Sequence, residues 1–156
     1  MTFDWLQGDL RGLEVELLGG VSENNIRLAS EAIGLEFPPS YREFLRAFGC
    51  GSLSYQEIIG LGGPPHLDVS EMTKYLRESS RLSRFPSTLI PILADGYGNY
   101  ECLNTAAKDE RGENPVVEWL HDGGDDQTPR VLAPTFEEWL RGLILQIRMV
   151  ESGDES

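Results

Sequence analysis

The spacing of apolar residues predicts a long amphipathic helix close to the C-terminus of the chain. Thr135 and Glu138 fit a capping box, in which each residue binds a free backbone N–H of the first turn. Apolar side chains then recur every three or four positions up to residue 147, which places them on one face of a helix. These apolar residues are Phe136, Trp139, Leu140, Leu143, Ile144 and Ile147.

Two further helices are predicted in the first third of the chain. Ser22 is a suitable N-cap for a helix over residues 23–33, which Gly34 would end, and Val21 and Ile26 are placed as a hydrophobic staple. The second helix begins at a proline pair, and its apolar stripe leads into a Gly-Cys-Gly sequence. Its stripe consists of Tyr41, Phe44, Leu45 and Phe48.

The middle of the chain is typical of short strands interrupted by turns. The segment "SLSYQEIIGL" has the β-branched and aromatic content of strands, and "GLGGPP" after it predicts a loop. A helix capped by Ser70 is expected to run to about Leu82. "STLIPILADGYGNYECLNT" predicts a hairpin that turns at residues 95–99, and "NPVVEWLH" and "RVLA" predict two more strands.

Helices near both ends with strands between them predict a single α+β domain. We expect a mainly antiparallel sheet with N-terminal helices and a closing C-terminal helix packed on it. Residues 1–21 are expected to be a loosely ordered or helical lead-in, because Gly8 and Gly12 weaken any helix there. The domain would then cover residues 22–150, and residues 151–156 would be a frayed acidic tail.

The charge of the chain restricts its partners. Its 26 acidic residues against 13 basic ones give a net charge of −13, which would repel nucleic acid and favour a protein with a basic surface. The acidic residues could also serve only to keep the protein soluble. No apolar run is long enough for a membrane helix, and no signal peptide is visible, so we expect a cytoplasmic protein without a membrane partner.

Several polar residues fit chemical roles, but ordinary structural roles explain each of them better. Cys102 with His66 or His121 could form a thiolate pair, yet no third group that would orient them is visible. Asp95 and Glu101 could act as acid and base only in a cleft that separates their pKa values. The cluster "HDGGDD" matches no EF-hand, and aspartates often simply close turns.

The order of these segments resembles the SUKH superfamily of immunity-type domains. The resemblance covers roughly residues 22–147 and lies in a proline-led helix, its glycine-rich exit, the central hairpin, the next strand and the closing helix. The residues that carry it are Leu35, Pro38, Pro39, Tyr41, Phe44, Leu45, Gly49, Gly51, Asp95, Gly96, Gly98, Val116, Val117, Phe136 and Trp139.

The resemblance implies a protein-binding module without catalytic residues, cofactor or metal. It implies an immunity protein that neutralises a cognate bacterial toxin, of nuclease or deaminase type, by binding it. A regulatory or scaffold domain for an endogenous partner is the alternative, and a small hydrolase-type or metal-binding enzyme is less favoured. Asp122, Asp125 and Asp126 are the candidate partner contacts, because carboxylates on a polar turn can meet Lys or Arg without refolding.

Overall fold

Seven strands form two antiparallel sheets in the computed structural model, which describes residues 3–79 and 82–153. The first sheet has the order β1-β2-β3, and the second has the order β4-β5-β6-β7. The strands of the first sheet are β1 (Val15–Leu17), β2 (Gly51–Leu53) and β3 (Gln56–Ile58). Those of the second are β4 (Leu89–Ala94), β5 (Tyr100–Asn104), β6 (Val116–Trp119) and β7 (Arg130–Ala133).

The helices lie before, between and after the two sheets. They are α1 (Leu6–Asp9), α2 (Glu23–Ile33), α3 (Pro39–Ala47), α4 (Val69–Glu78) and α5 (Phe136–Glu151), with a 3-10 helix at Pro65–Leu67. Helix α2 contacts α3 and α4, α4 packs on β4, and α5 contacts α3 and β7. The expected α+β architecture is therefore confirmed.

The strands divide into two sheets where one mainly antiparallel sheet was expected. The segment "SLSYQEIIGL" forms a tight hairpin of β2 and β3, because Ser54 adopts the left-handed conformation with φ of 57°. The Ile59 N–H donates to the Ile92 carbonyl oxygen at 2.8 Å, and this bond joins the chain after β3 to β4. The three-stranded sheet is thus linked to the four-stranded sheet by this hydrogen bond.

Two of the three predicted N-cap residues cap their helices in the structure. The Ser22 side chain accepts a hydrogen bond from the Asn25 N–H, and that of Thr135 accepts one from the Glu138 N–H. At α4 the prediction was wrong, because Asp68 replaces Ser70 as the cap. Its carboxylate accepts two N–H bonds where a serine hydroxyl typically satisfies one. Helix α4 also ends earlier than expected, and residues 80 and 81 lie outside the described residues.

The N-terminal segment contributes to the core of the domain. Residues 1–21 contain α1 and also β1, a strand that the apolar pattern did not predict. Phe3 and Leu6 are buried in the same hydrophobic cluster as the later helices and strands. At the other end α5 runs to Glu151, and the last three residues of the predicted acidic tail lie outside the described residues. The proposed boundary after residue 21 stays a prediction.

An aromatic cluster connects the N-terminal segment, α3 and α5. Phe136 is fully buried at the start of α5, with its ring centroid 5.1 Å from that of Tyr41 and 5.4 Å from that of Phe44. Phe3 and Trp139 also lie in ring contact with it, at 6.3 and 5.5 Å. The Tyr41 hydroxyl donates to the Ile59 carbonyl oxygen at 2.8 Å, which attaches this cluster to the junction of the sheets.

The glycine exit of α3 is a place where the backbone packs closely against other backbone segments. Gly49 follows the helix with φ of 74°, and a Cβ there would press on the carbonyl oxygens of Gly19 and Leu61, the latter 2.7 Å away. Gly34 ends α2 with nearly the same φ of 73°, but a Cβ there would meet nothing within 4 Å. The two positions therefore share a conformation and differ in available space.

Replacement of these two glycines by alanine separates conformational strain from steric contact. Gly34→Ala should lower the free energy of unfolding by about 1–2 kcal/mol, the cost of a left-handed alanine. Gly49→Ala should cost more than about 3 kcal/mol, because backbone oxygens must also move. Urea denaturation of both variants measures the difference. Equal losses would show that the backbone around Gly49 is not held as tightly as described.

Candidate functional site

Three loops meet at one end of the second sheet and form the surface that we call the loop face, residues 82–84, 95–99 and 120–127. The β4–β5 and β6–β7 turns lie at the same end because consecutive hairpins in an antiparallel sheet alternate ends. The His121 N–H donates to Asn99 Oδ1 at 3.0 Å and joins these two turns. The segment after α4 is attached by bonds from the Gly124 N–H to Ser83 Oγ and from the Arg84 N–H to Asp125 Oδ1, both 2.6 Å long.

The β4–β5 turn is closed by the side chain of Asp95. Its carboxylate accepts hydrogen bonds from the Tyr97 N–H at 2.7 Å and from both the backbone and the side-chain amide of Asn99. Burial raises the pKa of Asp95, but these hydrogen bonds and the nearby His121 outweigh it, so the pKa lies below its ordinary value. The turn therefore holds an ionised carboxylate in a fixed position.

The β6–β7 turn is braced by Gln127. Its Oε1 accepts from the Leu120 N–H at 3.0 Å, and its Nε2 donates to the carbonyl oxygens of Leu120 and Gly124. One side chain thus binds three backbone groups of the turn, in addition to the backbone bonds from the Gly123 N–H to the Leu120 carbonyl oxygen and from the Gln127 N–H to that of Gly124. The aspartates on this turn are consequently presented from an ordered backbone.

The structure brings the three predicted aspartates onto the loop face, together with apolar residues that the pattern did not single out. Asp122 and Asp126 are exposed, and Asp125 is exposed while it accepts the Arg84 N–H. Tyr97 is 82% exposed at the tip of its hairpin, and Leu82 is 79% exposed beside Ser83. Leu82 was missed because it was expected to end helix α4. The position of Tyr97 between two turn glycines could have indicated its exposure.

The residues considered for catalysis do not form a nucleophilic site. Cys102 is buried in β5, and burial followed by the charge of Glu101 raises the pKa of its thiol well above the ordinary value. His66 instead lies in the 3-10 helix after the first sheet, with its Nε2 3.5 Å from Glu57 Oε2. Within residues 3–79 and 82–153, no three His, Cys, Asp or Glu side chains are grouped as metal ligands. No helix of this described part is long and apolar enough to cross a bilayer.

Glu101 serves the packing of α5 on the second sheet. The Trp139 indole N–H donates to Glu101 Oε1 at 2.7 Å, in a groove of about 340 Å³ that Glu118 and Arg130 also line. Burial raises the pKa of Glu101, the charges of Glu118 and Asp95 raise it further, and Trp139 and Arg130 only partly oppose them. Asp95 and Glu101 therefore have pKa values shifted apart, but each carboxylate is committed to a separate set of hydrogen bonds.

The motif residues of the helices occupy structural positions within this frame. Tyr41, Phe44 and Leu45 are buried on the inner face of α3, and Phe136 and Trp139 are buried on that of α5. Pro38 and Pro39 begin α3, and Gly96 and Gly98 take positive φ values in the β4–β5 turn. The fold and these positions define an α+β domain of the SUKH superfamily.

A comparison with protein families agrees with this assignment. The family model SUKH_5, described as SMI1-KNR4 cell-wall, matches residues 8–145, and the chain belongs to this family. The match begins within α1 and so includes most of the N-terminal segment. No curated protein matches the chain.

The raised pKa of Glu101 predicts how stability responds to pH. A carboxyl whose pKa is higher in the folded state contributes stability below its unfolded pKa, and this contribution is lost as pH rises through the folded pKa. Glu101→Gln keeps an oxygen acceptor for Trp139 and removes the charge. Relative to the wild type, the variant should therefore gain stability as the pH rises above about 4.3, the ordinary pKa of a glutamate, as measured by urea denaturation at a series of pH values.

Glu14→Gln is the matched control, because Glu14 is exposed and makes no side-chain hydrogen bond that the structure records among the described residues. Its stability relative to the wild type should change little over the same pH range. If Glu101→Gln behaves in the same way as Glu14→Gln, Glu101 is not held in the desolvated environment described above.

Proposed function

We propose that the protein is a non-catalytic binding module that neutralises a cognate bacterial toxin, of nuclease or deaminase type. Its loop face would occupy a groove of the toxin that is lined with Lys and Arg side chains. The observation that carries this proposal is the hydrogen-bonded union of three loops, which presents exposed Tyr97 and Leu82 together with Asp122 and Asp126. The family membership supports a protein-binding role of this general kind.

The charge of the loop face suits a basic partner. The loop face contains one arginine, Arg84, and four aspartates, which are Asp95, Asp122, Asp125 and Asp126. A nuclease holds nucleic-acid phosphates with Lys and Arg side chains, so a carboxylate-rich surface can occupy the same groove. Exposed charges of this kind act chiefly on the rate of association, because they steer encounter over a distance.

The affinity would come mainly from the exposed apolar side chains. A tyrosine offers a large, rigid contact area with few rotatable bonds, and residues of this type dominate the energetics of interfaces. Since the loop backbones are already fixed by Gln127, Asp95 and Asn99, little conformational entropy remains to be lost on binding. The loop face is therefore prepared for rigid docking.

A regulatory domain that binds an endogenous partner is the second candidate, and the cell-wall description of the family favours it. The same loop face would then be the contact surface. The gene beside that of the protein distinguishes the two, since a toxin gene there favours immunity. We also propose a cytoplasmic location, which agrees with the two free cysteines, Cys50 and Cys102.

Binding to the toxin encoded beside the gene tests the proposal and the placement of the loop face. Calorimetric titration of the purified pair should give a complex, and Tyr97→Ala should weaken it by about 30-fold or more, as expected for a buried aromatic anchor. The Asp122→Asn and Asp126→Asn double variant should lower the association rate and its salt dependence, with little change in dissociation.

Tyr55→Ala is the matched control, because Tyr55 is also an exposed tyrosine at a hairpin tip but belongs to the first sheet. It should bind as the wild type does. Loss of binding in Tyr55→Ala but not in Tyr97→Ala would move the interface away from the loop face. Absence of a complex with that toxin at low salt would contradict the immunity role itself.

A further inference from the structure

A second polar groove lies between the α2–α3 connection and the segment after β5, the end of the second sheet away from the loop face. Its volume is about 370 Å³, within the range of small-molecule sites in proteins. Residues 34–39 form one wall, and Thr105, Lys108, Arg111 and Asn114 contribute to the other. We call it the basic groove, because three cationic side chains line it.

The charge of the basic groove contrasts with that of the whole chain. Arg42, Lys108 and Arg111 all line it, and none of them makes an ion pair that the structure records within the described residues. Glu36 is the one carboxylate among the lining residues, so the lining side chains carry a formal charge of three positive less one negative, or +2, while Asp109, Glu110 and Glu113 belong to the same loop as Lys108 and Arg111. In a chain with 26 acidic and 13 basic residues, such a convergence of unpaired cations is unexpected for a simple solvated surface.

One side-chain donor of a residue that lines the groove lacks a partner. Arg42 Nε is buried from solvent and makes no hydrogen bond with any described residue. A buried donor without an acceptor costs about 1–3 kcal/mol, so such groups in native proteins usually satisfy an ion, a water or a ligand. Because solvent does not reach this atom, a ligand in the groove can accept a hydrogen bond from Arg42 Nε only if the Arg42 side chain turns toward Lys108 and Arg111.

The wall that carries Lys108 and Arg111 is ordered before any ligand binds. Asp109 Oδ1 accepts from the N–H groups of Arg111 and Glu113, at 2.8 and 2.9 Å, and the Asn114 side chain donates to the Ala107 carbonyl oxygen. The Asp109 carboxylate is therefore bound to backbone N–H groups of its own loop. It forms no ion pair with Lys108 or Arg111 that the structure records among the described residues.

The opposite wall is attached to this loop by a buried carboxylate. Glu113 accepts hydrogen bonds from both the N–H and the hydroxyl of Ser40, at 2.9 and 2.7 Å, in the first turn of α3. Arg42 lies two residues further along the same helix. These bonds fix the position of Arg42's helix relative to the loop of Lys108 and Arg111, so the groove is preformed.

We propose that the basic groove binds the phosphate group of a small phosphorylated molecule. A phosphate monoester carries a charge of about −1.5 to −2 at neutral pH, which matches the +2 of the lining side chains better than a single carboxylate does. Arginine side chains recognise phosphate oxygens in a bidentate manner, and lysine adds a point charge. The groove exceeds what one phosphate fills, so the remaining volume accepts the organic part of the ligand. This proposal is independent of the toxin-binding role.

Titration with two phosphate probes tests the proposal on the intact protein. Amide NMR spectra recorded with inorganic phosphate and with glycerol 3-phosphate, at constant ionic strength set by sodium chloride, should shift resonances of residues 34–42 and 105–114. Glycerol 3-phosphate should bind more tightly than inorganic phosphate. The Lys108→Gln and Arg111→Gln double variant should weaken both by at least tenfold, as expected for loss of two charge-assisted contacts.

Arg130→Gln is the matched control, because Arg130 is an exposed arginine in β7, outside the groove. It should bind both probes as the wild type does. Lys108 and Arg111 are exposed, so unshifted resonances elsewhere in the double variant will show that the fold is kept. Equal weakening in Arg130→Gln, or shifts spread evenly over the chain, would overturn the site. Tighter binding of a hexaglutamate peptide than of either phosphate would assign the groove to an acidic peptide and overturn the phosphate assignment.

Discussion

The contact of Phe136 with the other aromatic rings is the interaction on which the rest of the structure depends. Phe136 begins α5, Tyr41 and Phe44 belong to α3, and Phe3 comes from the N-terminal segment, so one buried ring joins parts of the chain more than 130 residues apart. Such contacts combine large apolar burial with preferred edge-to-face geometry. Because Tyr41 also donates to Ile59 beside the second sheet, the cluster fixes the helices relative to the strands that carry both proposed binding surfaces.

These two surfaces lie at opposite ends of the second sheet, and the side chains that line them differ in the sign of their charge. Its hairpin turns hold the loop face, where carboxylates accompany exposed Tyr97, and its other end holds the basic groove with Arg42, Lys108 and Arg111. At both ends an aspartate accepts hydrogen bonds from the backbone of its own turn, Asp95 at one and Asp109 at the other. Local hydrogen bonding therefore decides which charges remain available to a partner, and net charge alone does not reveal it.

Local signals in the sequence were sufficient for the elements whose ends carry their own chemistry. The caps Ser22 and Thr135 and the apolar stripe of α5 led to correct helices, because capping and 3.6-residue periodicity act within a few residues. The division into two sheets depends on the left-handed Ser54 and on long-range pairing of β1, a strand too short to show alternation. The acidic turn was visible in sequence, but the union of three loops around Tyr97 and Leu82 arises from contacts between distant residues.

The central claim is that the loop face is the contact surface of a protein partner. Amide hydrogen exchange of the protein, with and without the toxin encoded beside its gene, tests this claim most directly, since a buried interface slows the exchange of its own amides. The account predicts added protection in residues 95–99 and 120–127 and unchanged exchange in the β2–β3 hairpin. Protection confined to other parts of the chain in a stable complex would contradict it.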